Sequence, residues 1–363
     1  SLPRLVHYEL AQIPVLTQGA GSGTAIAKDL STGREKEVVT IYKRNLEDVK
    51  FQMAQEDDGL DAAEDTNKTA PGSTGNQSVK AGPGGQEILA LAGKSDLVKG
   101  VYEGGLKTWE CAIDLVAYLA DQKENYDDKK VLELGCGSAL PGVYILTKSN
   151  TVQVDLQDYN DSVLKLVTLP NVLLNTHLRP DQHPAEEEED DDDEKETEAD
   201  KTKDKDGETG DDDDEEDDED EMEPEGNSDE DFEGSELDFP ASDEDRTKLL
   251  QKVSAQSRFI MGDWGGLVKL MDFQSDADKY DLILTSETIY AEESHQKLYD
   301  TIKNSLKRDG KALVAAKTFY FGVGGDILSF RRLIEKDGVF NIKVVFSAQA
   351  FVRREILELT FKA

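Results

Sequence analysis

The sequence predicts an α/β fold: a mostly parallel sheet with helices on both faces, closed by an antiparallel last strand. Three observations lead there. From Lys130 onward, short apolar runs alternate with stretches of helical apolar spacing, the pattern of parallel strands joined by crossover helices. The run Val131-Leu132-Glu133-Leu134 breaks into the turn Gly135-Cys136-Gly137 and then into a helix. The last two apolar runs, 341–347 and 355–361, leave no room for a helix between them, so they must pair antiparallel.

Taken in order, residues 1–56 read as an N-terminal extension. Strands are expected at Leu5–Glu9 and Glu37–Tyr42, then an amphipathic stretch at Asp48–Gln55. Residues 57–86 read as a flexible linker, because Asp57 to Gly85 is rich in Gly, Asn, Ser and Thr. The core spans 87–363, entered through the apolar runs Ile88–Ala92 and Leu97–Val101. Trp109, Ile113, Val116, Ala117 and Ala120 recur at helical spacing, so a helix starts near Trp109. Strand Lys130–Leu134 and helix Leu140–Thr147 follow, then strand Thr151–Leu156 and helix Ser162–His177, which Pro170 bends. After an insertion come helix Arg246–Ser254, strand Arg258–Met261 and helix Gly265–Met271. Strand Asp281–Thr285, helix Ser294–Lys307, strand Lys311–Lys317 and helix Gly325–Lys336 lead to the closing pair.

The net charge of -37 is concentrated in one place. Residues 186–245 hold 37 acidic and 4 basic residues, and the rest of the 363-residue chain carries only -4. Asp211 to Glu221 is acidic without a break. Such a run cannot bury enough apolar surface to offset its chain entropy, so 186–245 reads as a disordered insertion within the domain. Two readings of it stay open: a solvated loop, or a decoy for basic partners such as ribosomal proteins. Either one argues against direct nucleic-acid binding there, which needs Lys and Arg. Cys111 and Cys136 have no metal or disulfide spacing, and His7, His177, His183 and His295 form no metal pattern. No apolar run is long enough to span a membrane. A monomer in the cytoplasm and nucleus is expected.

The chemistry gathers at the carboxyl ends of the strands, where ligands of open α/β sheets bind. The strand, glycine turn, helix and later Asp158, about twenty residues on, form a nucleoside-binding unit. A dinucleotide loop would need a third glycine where Leu140 stands. The spelling is instead Glu133, Gly135, Gly137 and Ala139, which resembles the first motif of seven-stranded, class I S-adenosylmethionine-dependent methyltransferases. The turn amides can face the methionine end of that cofactor. Asp158-Tyr159-Asn160 follows the second strand, and Asp158 can accept from ribose hydroxyls or merely cap a helix. Gly262-Asp263-Trp264 follows the third strand, where Asp263 can accept from an adenine amino group and Trp264 can stack on the base or fill the core. Ser286-Glu287-Thr288-Ile289-Tyr290 follows the fourth strand. Glu287 and Tyr290 form the sharpest local pair, since a carboxylate there can fix the tautomer of an acceptor imidazole or help deprotonate a lysine. The alternative is a solvated loop acid.

A closer resemblance rests on four segments. Glu287-Thr288-Ile289-Tyr290 matches the acid-x-x-aromatic motif of seven-stranded protein methyltransferases acting on lysine or histidine. Residues 102–111, 286–290 and 320–325 resemble the branch of protein-histidine methyltransferases that act on a large-subunit ribosomal protein, and 45–53 is similar to an element upstream of the fold in that branch. The resemblance implies a seven-stranded Rossmann-like class I methyltransferase sheet with S-adenosyl-L-methionine as donor. The implied acceptor is a histidine of the third universal large-subunit ribosomal protein. It also implies cofactor contacts from Thr108, Trp109, Glu110, Cys111 and Ala112, which spacing alone would not place at the cofactor. Contacts from Glu133, Gly135, Gly137, Asp158, Tyr159, Asn160, Gly262, Asp263, Trp264 and Ser286 agree with the strand-end reading. Glu287 and Tyr290 face the acceptor. A lysine methyltransferase of the same subgroup, or an acidic chaperone for basic proteins, is the rival reading.

Overall fold

A computed structural model describes residues 5–15, 38–50, 52, 104–178, 235–238, 242–322 and 324–363. The expected linker, the runs Ile88–Ala92 and Leu97–Val101, and the unbroken acidic run lie outside these residues.

Seven strands form the main sheet: β3 (Lys130–Leu134), β4 (Gln153–Asp158), β6 (Ser257–Met261), β7 (Tyr280–Ser286), β8 (Leu306–Lys317), β9 (Phe340–Ala348) and β10 (Arg354–Phe361). They lie in the order β6-β4-β3-β7-β8-β10-β9. All neighbours are parallel except β10, which pairs antiparallel with both β8 and β9. The last strand thus slots between its two predecessors. This is the seven-stranded Rossmann-like sheet with an antiparallel last strand that the sequence predicts. Its strand order reverses at β3, with β4 on one side and β7 on the other, which opens a crevice at their carboxyl ends.

The central strands are apolar because helices cover both faces. On one side α1 (Glu110–Gln122), α2 (Leu140–Leu146) and α3 (Asp161–His177) share a core with Val131, Val154, Leu156 and Leu284. On the other, α5 (Trp264–Met271), α6 (Glu292–Ser305) and α7 (Ile327–Asp337) pack on Leu132, Leu134, Ile283 and Val314. Helix α4 (Asp243–Gln256) opens on Ser242, whose side chain accepts from the amide of Asp245 at 3.1 Å. Among the described residues no helix is long and apolar enough to cross a membrane.

The N-terminal extension is part of this core rather than an appendage. Strands β1 (Leu5–Pro14) and β2 (Val38–Arg44) form an antiparallel sheet, and Val6, Ile13 and Ile41 are buried with the residues of α1 and α2. A third strand, β5 (Ser235–Asp238), pairs with β1. This corrects the expected disorder of 186–245: Ser235–Asp238 is strand and Asp243–Asp245 opens α4, so the insertion ends before Ser235. Its acidic composition masked a short edge strand that needs only backbone pairing.

The bend expected at Pro170 has a traceable cause. Proline has no amide hydrogen, so the carbonyl of Leu166 loses its helical donor. The Leu164–Thr168 turn widens to π geometry, and the Leu166 carbonyl accepts instead from Arg44 Nη1 at 2.9 Å. Arg44 is 4% exposed and also bonds Asp48 and Gln52. One turn on, buried Asn171 accepts from the Arg44 amide at 2.7 Å and donates to the Ser138 carbonyl at 2.8 Å. It thereby couples β2 to the loop that follows the glycine turn. Asn171→Leu should leave two buried backbone groups unpaired, at about 1–3 kcal/mol each, and a chemical denaturation midpoint shifted without a change in slope would register the loss.

Candidate active site

A cavity of about 330 Å³ opens at the carboxyl ends of β3, β4, β6 and β7. It is of the size that holds small ligands, about 300–1,000 Å³. Its floor is the glycine turn. Gly135 and Gly137 have φ of 61° and 51°, which side-chain-bearing residues rarely adopt. A strap, residues 104–109, crosses over this turn, and Gly105 meets Gly137 so closely that a Cβ on the latter would stand 3.2 Å from the Gly105 Cα. Thr168 Oγ1 donates to the Gly137 carbonyl at 2.7 Å. The turn is therefore clamped from both sides, and its Gly135, Cys136 and Gly137 amides are held by Gln157 and Asp158 at the end of β4.

Of the residues expected at the cofactor, Trp109, Ala112, Gly135, Gly137, Asp158, Tyr159, Gly262, Asp263, Trp264 and Ser286 line this cavity, as do Glu287 and Tyr290. Five do not. Glu133 is 1% exposed beneath the turn, where its Oε2 accepts from the Gly142 amide at 2.8 Å. Burial pushes its carboxyl up to about 8. It braces β3 against α2 and lies outside the cavity lining, because its strand position points into the helix layer. Thr108 ties the strap down by donating to Ser138 Oγ at 3.0 Å. Asn160 caps the start of α3 and donates its amide to Asp158 Oδ1 at 3.1 Å. Glu110 opens α1 and pairs with Lys317 and Arg354. Cys111 is buried, and its thiol is pushed well above the usual range by burial and then by Glu287.

Asp158 ends β4, two residues later than the expected strand boundary. One oxygen accepts from the Gly137 amide at 2.9 Å and the other from Asn160. Burial lifts its carboxyl to about 6, against the lowering effect of the surrounding amides. It shapes the turn and still faces the cavity. Asp263 sits at the rim as the N-cap of α5, with Lys297 at 2.9 Å; that ammonium holds its carboxyl below the usual range. Trp264 serves both readings. It lines the cavity, and it packs against the core with its Nε1 bonded to Gln157 Oε1 at 2.8 Å.

Gln157 is the residue that sequence reasoning missed. It is 1% exposed, its Oε1 also accepts from the Gly135 amide at 3.1 Å, and its Nε2 donates to the Gly262 carbonyl at 2.7 Å. The available signal was a glutamine inside a strand buried on both faces, which needs polar partners on the adjoining strands.

The loop after β7 carries Glu287 and Tyr290, both in the cavity wall. Glu287 has a φ of 56°, a strained conformation for a residue with a side chain. Its amide donates to the Ala315 carbonyl at 2.8 Å, which locks the loop to β8. The side chain is 5% exposed. Oε1 accepts from the Cys111 amide at 3.3 Å, whereas Oε2 is buried without a hydrogen-bond partner among the described residues. His295 Nε2 bonds the Ile289 carbonyl at 2.8 Å and so braces this loop structurally. On its other flank the Gly325 amide donates to the Tyr290 carbonyl at 2.8 Å. A Cβ on Gly325 would fall 2.1 Å from the Ile289 oxygen, so only glycine lets the two loops cross.

Comparison with known proteins agrees with this architecture. A family model described as lysine methyltransferase matches residues 94–193. The histidine protein methyltransferase 1 homologue of Rattus norvegicus is 32% identical over 77% of this chain and 63% of its own length. The homologue of Bos taurus is 34% identical over 77% of this chain and 61% of its own length. The chain thus spans less than two thirds of these relatives. A solved TehB-like SAM-dependent methyltransferase from Corynebacterium glutamicum aligns at a TM-score of 0.35 and 12% identity, over 76% of this chain and 95% of that one. Histidine protein methyltransferase 1 of Schizosaccharomyces pombe is 30% identical over 88% of this chain and 76% of its own length. On that breadth of identity the chain belongs to the family of histidine protein methyltransferase 1.

Proposed function

We propose that this protein transfers a methyl group from S-adenosylmethionine to an imidazole nitrogen of a protein histidine, in the third universal large-subunit ribosomal protein. The observation that carries the reading is the Glu287 carboxyl, which belongs to the cavity wall and whose buried Oε2 has no hydrogen-bond partner among the described residues. A buried carboxylate oxygen without a donor is costly unless a ligand supplies one. A neutral imidazole supplies one N–H donor and keeps a lone pair on the other nitrogen.

The cavity's residues suit the cofactor: a glycine turn clamped beneath a strap, an acid at the end of β4, and a tryptophan and a tyrosine along its wall. When bound, S-adenosylmethionine supplies an electrophilic methyl group on a sulfonium. Asp158 accepts hydrogen bonds from hydroxyls in its anionic form. Trp109 and the 104–109 strap cover the turn and limit water. Glu287 accepts the proton-bearing nitrogen of the acceptor ring, which fixes the tautomer and leaves the other nitrogen to attack in line. Positive charge then develops on the ring, next to the carboxylate, so the interaction strengthens toward the transition state; the C–S electron pair would leave with the thioether, and the ring N–H proton passes to Glu287. Tyr290 forms the adjoining wall.

The family model's description favours a lysine acceptor as second reading, but its match covers 94–193, the cofactor half, and not the loops around Glu287 and Gly325. The specific resemblance of 286–290 and 320–325 to histidine-modifying enzymes supports the first. Labelled S-adenosylmethionine with extracted ribosomal proteins should give methylhistidine on one large-subunit band after hydrolysis; methyllysine alone would overturn the reading. Glu287→Gln should lower kcat by about 100-fold or more, the range of a lost acid–base group, while cofactor affinity stays within about threefold. Cofactor binding should weaken about tenfold per pH unit below the Asp158 value of about 6. Asp158→Asn should bind more weakly and lose this pH dependence in a calorimetric titration.

A further inference from the structure

The acceptor carboxylate has a charged neighbour that the proposed chemistry does not use. Lys317 ends β8, and its Nζ stands 3.7 Å from Glu287 Oε1 and 3.1 Å from Glu110 Oε2, with the Trp109 ring centre 5.8 Å away. Its cross-strand partner Arg354, on β10, lies 3.7 Å from Glu110 and grips Asp114 at 2.5 and 3.1 Å. The result is a row of alternating charge, Glu287, Lys317, Glu110, Arg354 and Asp114, running from the cavity wall along α1. Burial works to lower the Lys317 ammonium, but Glu287 and Glu110 outweigh it and hold the group above the usual lysine range.

The remaining groups around Glu287 are neutral. From α1 comes the Cys111 thiol, pushed up by burial and by Glu287. From the loop after β8 comes the Tyr320 hydroxyl, likewise pushed up by burial and by Glu287, and hydrogen-bonded to the Lys317 amide at 3.2 Å. Lys317 is thus the one cation that ion-pairs with Glu287 among the described residues. Its charge sits on the Oε1 side, and the buried Oε2 keeps no hydrogen-bond partner among the described residues.

We infer that Lys317 is a specificity-determining residue that sets the acceptor site for neutral imidazole and against lysine ammonium. The inference rests on the histidine reading above and deepens it. An acceptor lysine arrives as a cation and gains most from a lone carboxylate. Here it would meet a second ammonium a few ångströms away in a partly dry pocket, where like charges repel strongly. An imidazole arrives largely uncharged at neutral pH and needs only an acceptor oxygen, which an ion-paired carboxylate still provides. Discrimination then comes from a built-in repulsion rather than from an added contact. Lys317 acts through Glu287 and does not touch the reacting atoms.

The test uses the full chain with labelled S-adenosylmethionine and extracted ribosomal proteins, which are rich in both residue types. After hydrolysis, the ratio of methylhistidine to methyllysine is measured for the wild type and for Lys317→Met, Lys317→Gln and Lys317→Arg. Lys317→Met and Lys317→Gln should lower the ratio on the order of tenfold or more, the weight of about one unit of pKa-scale interaction, with new methyllysine appearing. Lys317→Arg should keep the wild-type ratio. Cofactor affinity, measured by titration, should be unchanged in all three, which certifies the fold. A ratio unmoved in active Met and Gln variants overturns the inference, as does loss of all transfer in both, which would make Lys317 structural or catalytic. Methyllysine alone from the wild type would instead overturn the histidine reading itself.

Discussion

Three strand ends meet at the side chain of Gln157, and the cavity depends on that junction. Its oxygen takes the Gly135 amide and the Trp264 indole, and its nitrogen gives to the Gly262 carbonyl. Its own carbonyl holds the Cys136 amide at 2.9 Å. An amide offers a donor and an acceptor at one end that stays neutral at every pH. A glutamate would lose the donor and bury a charge; a leucine would leave the Gly135 amide, the indole and the Gly262 carbonyl without partners in a site of low dielectric. These bonds tie the turn after β3 and the loop after β6 to β4 and hold the Trp264 indole at the cavity wall.

A second set of contacts carries order from the N-terminus to the same place. Pro170 frees the Leu166 carbonyl, Arg44 takes it, and Asn171 joins the Arg44 amide to the Ser138 carbonyl. Beside this polar link, Val49, Leu106, Val163, Leu166 and Val167 form their own buried apolar cluster. Leu106 belongs to the strap and Val49 to the turn of helix after β2, so the N-terminal element buttresses the strap that covers the glycine turn. The strap in turn contacts the turn backbone to backbone, at Gly105 and Gly137. The described part of the extension thus supports the cavity from behind the strap, although none of its described residues lines it.

Much of this was legible in the sequence, for physical reasons. Strand β3 was read with its observed ends, because a fully buried parallel strand is a continuous apolar run bounded by charge and glycine. The antiparallel closing pair followed from connection length alone. The convergence of Gly135, Asp158, Gly262, Trp264 and Ser286 followed from the rule that strand ends share one edge. What was not legible is what depends on partners distant in sequence. Glu133 fits the motif spelling, yet its side chain turns under α2 to meet Gly142. Gln157 finds its partners on the turn after β3 and the loop after β6, 22 and 105 residues away in sequence. Strand β5 hid inside acidic composition and exists only because β1 offers an edge. Lys317 faces Glu287 through a pairing of β7, β8 and β10 that no local pattern encodes.

The central claim is that Gln157, rather than the glycine turn alone, holds the cofactor-side cavity in shape. Calorimetric titration of S-adenosylmethionine into Gln157→Leu tests it most directly, alongside a thermal unfolding scan. The account predicts affinity weakened on the order of tenfold or more, as for a site left with unpaired polar groups, with a single cooperative unfolding transition retained. Affinity equal to that of the wild type would contradict it.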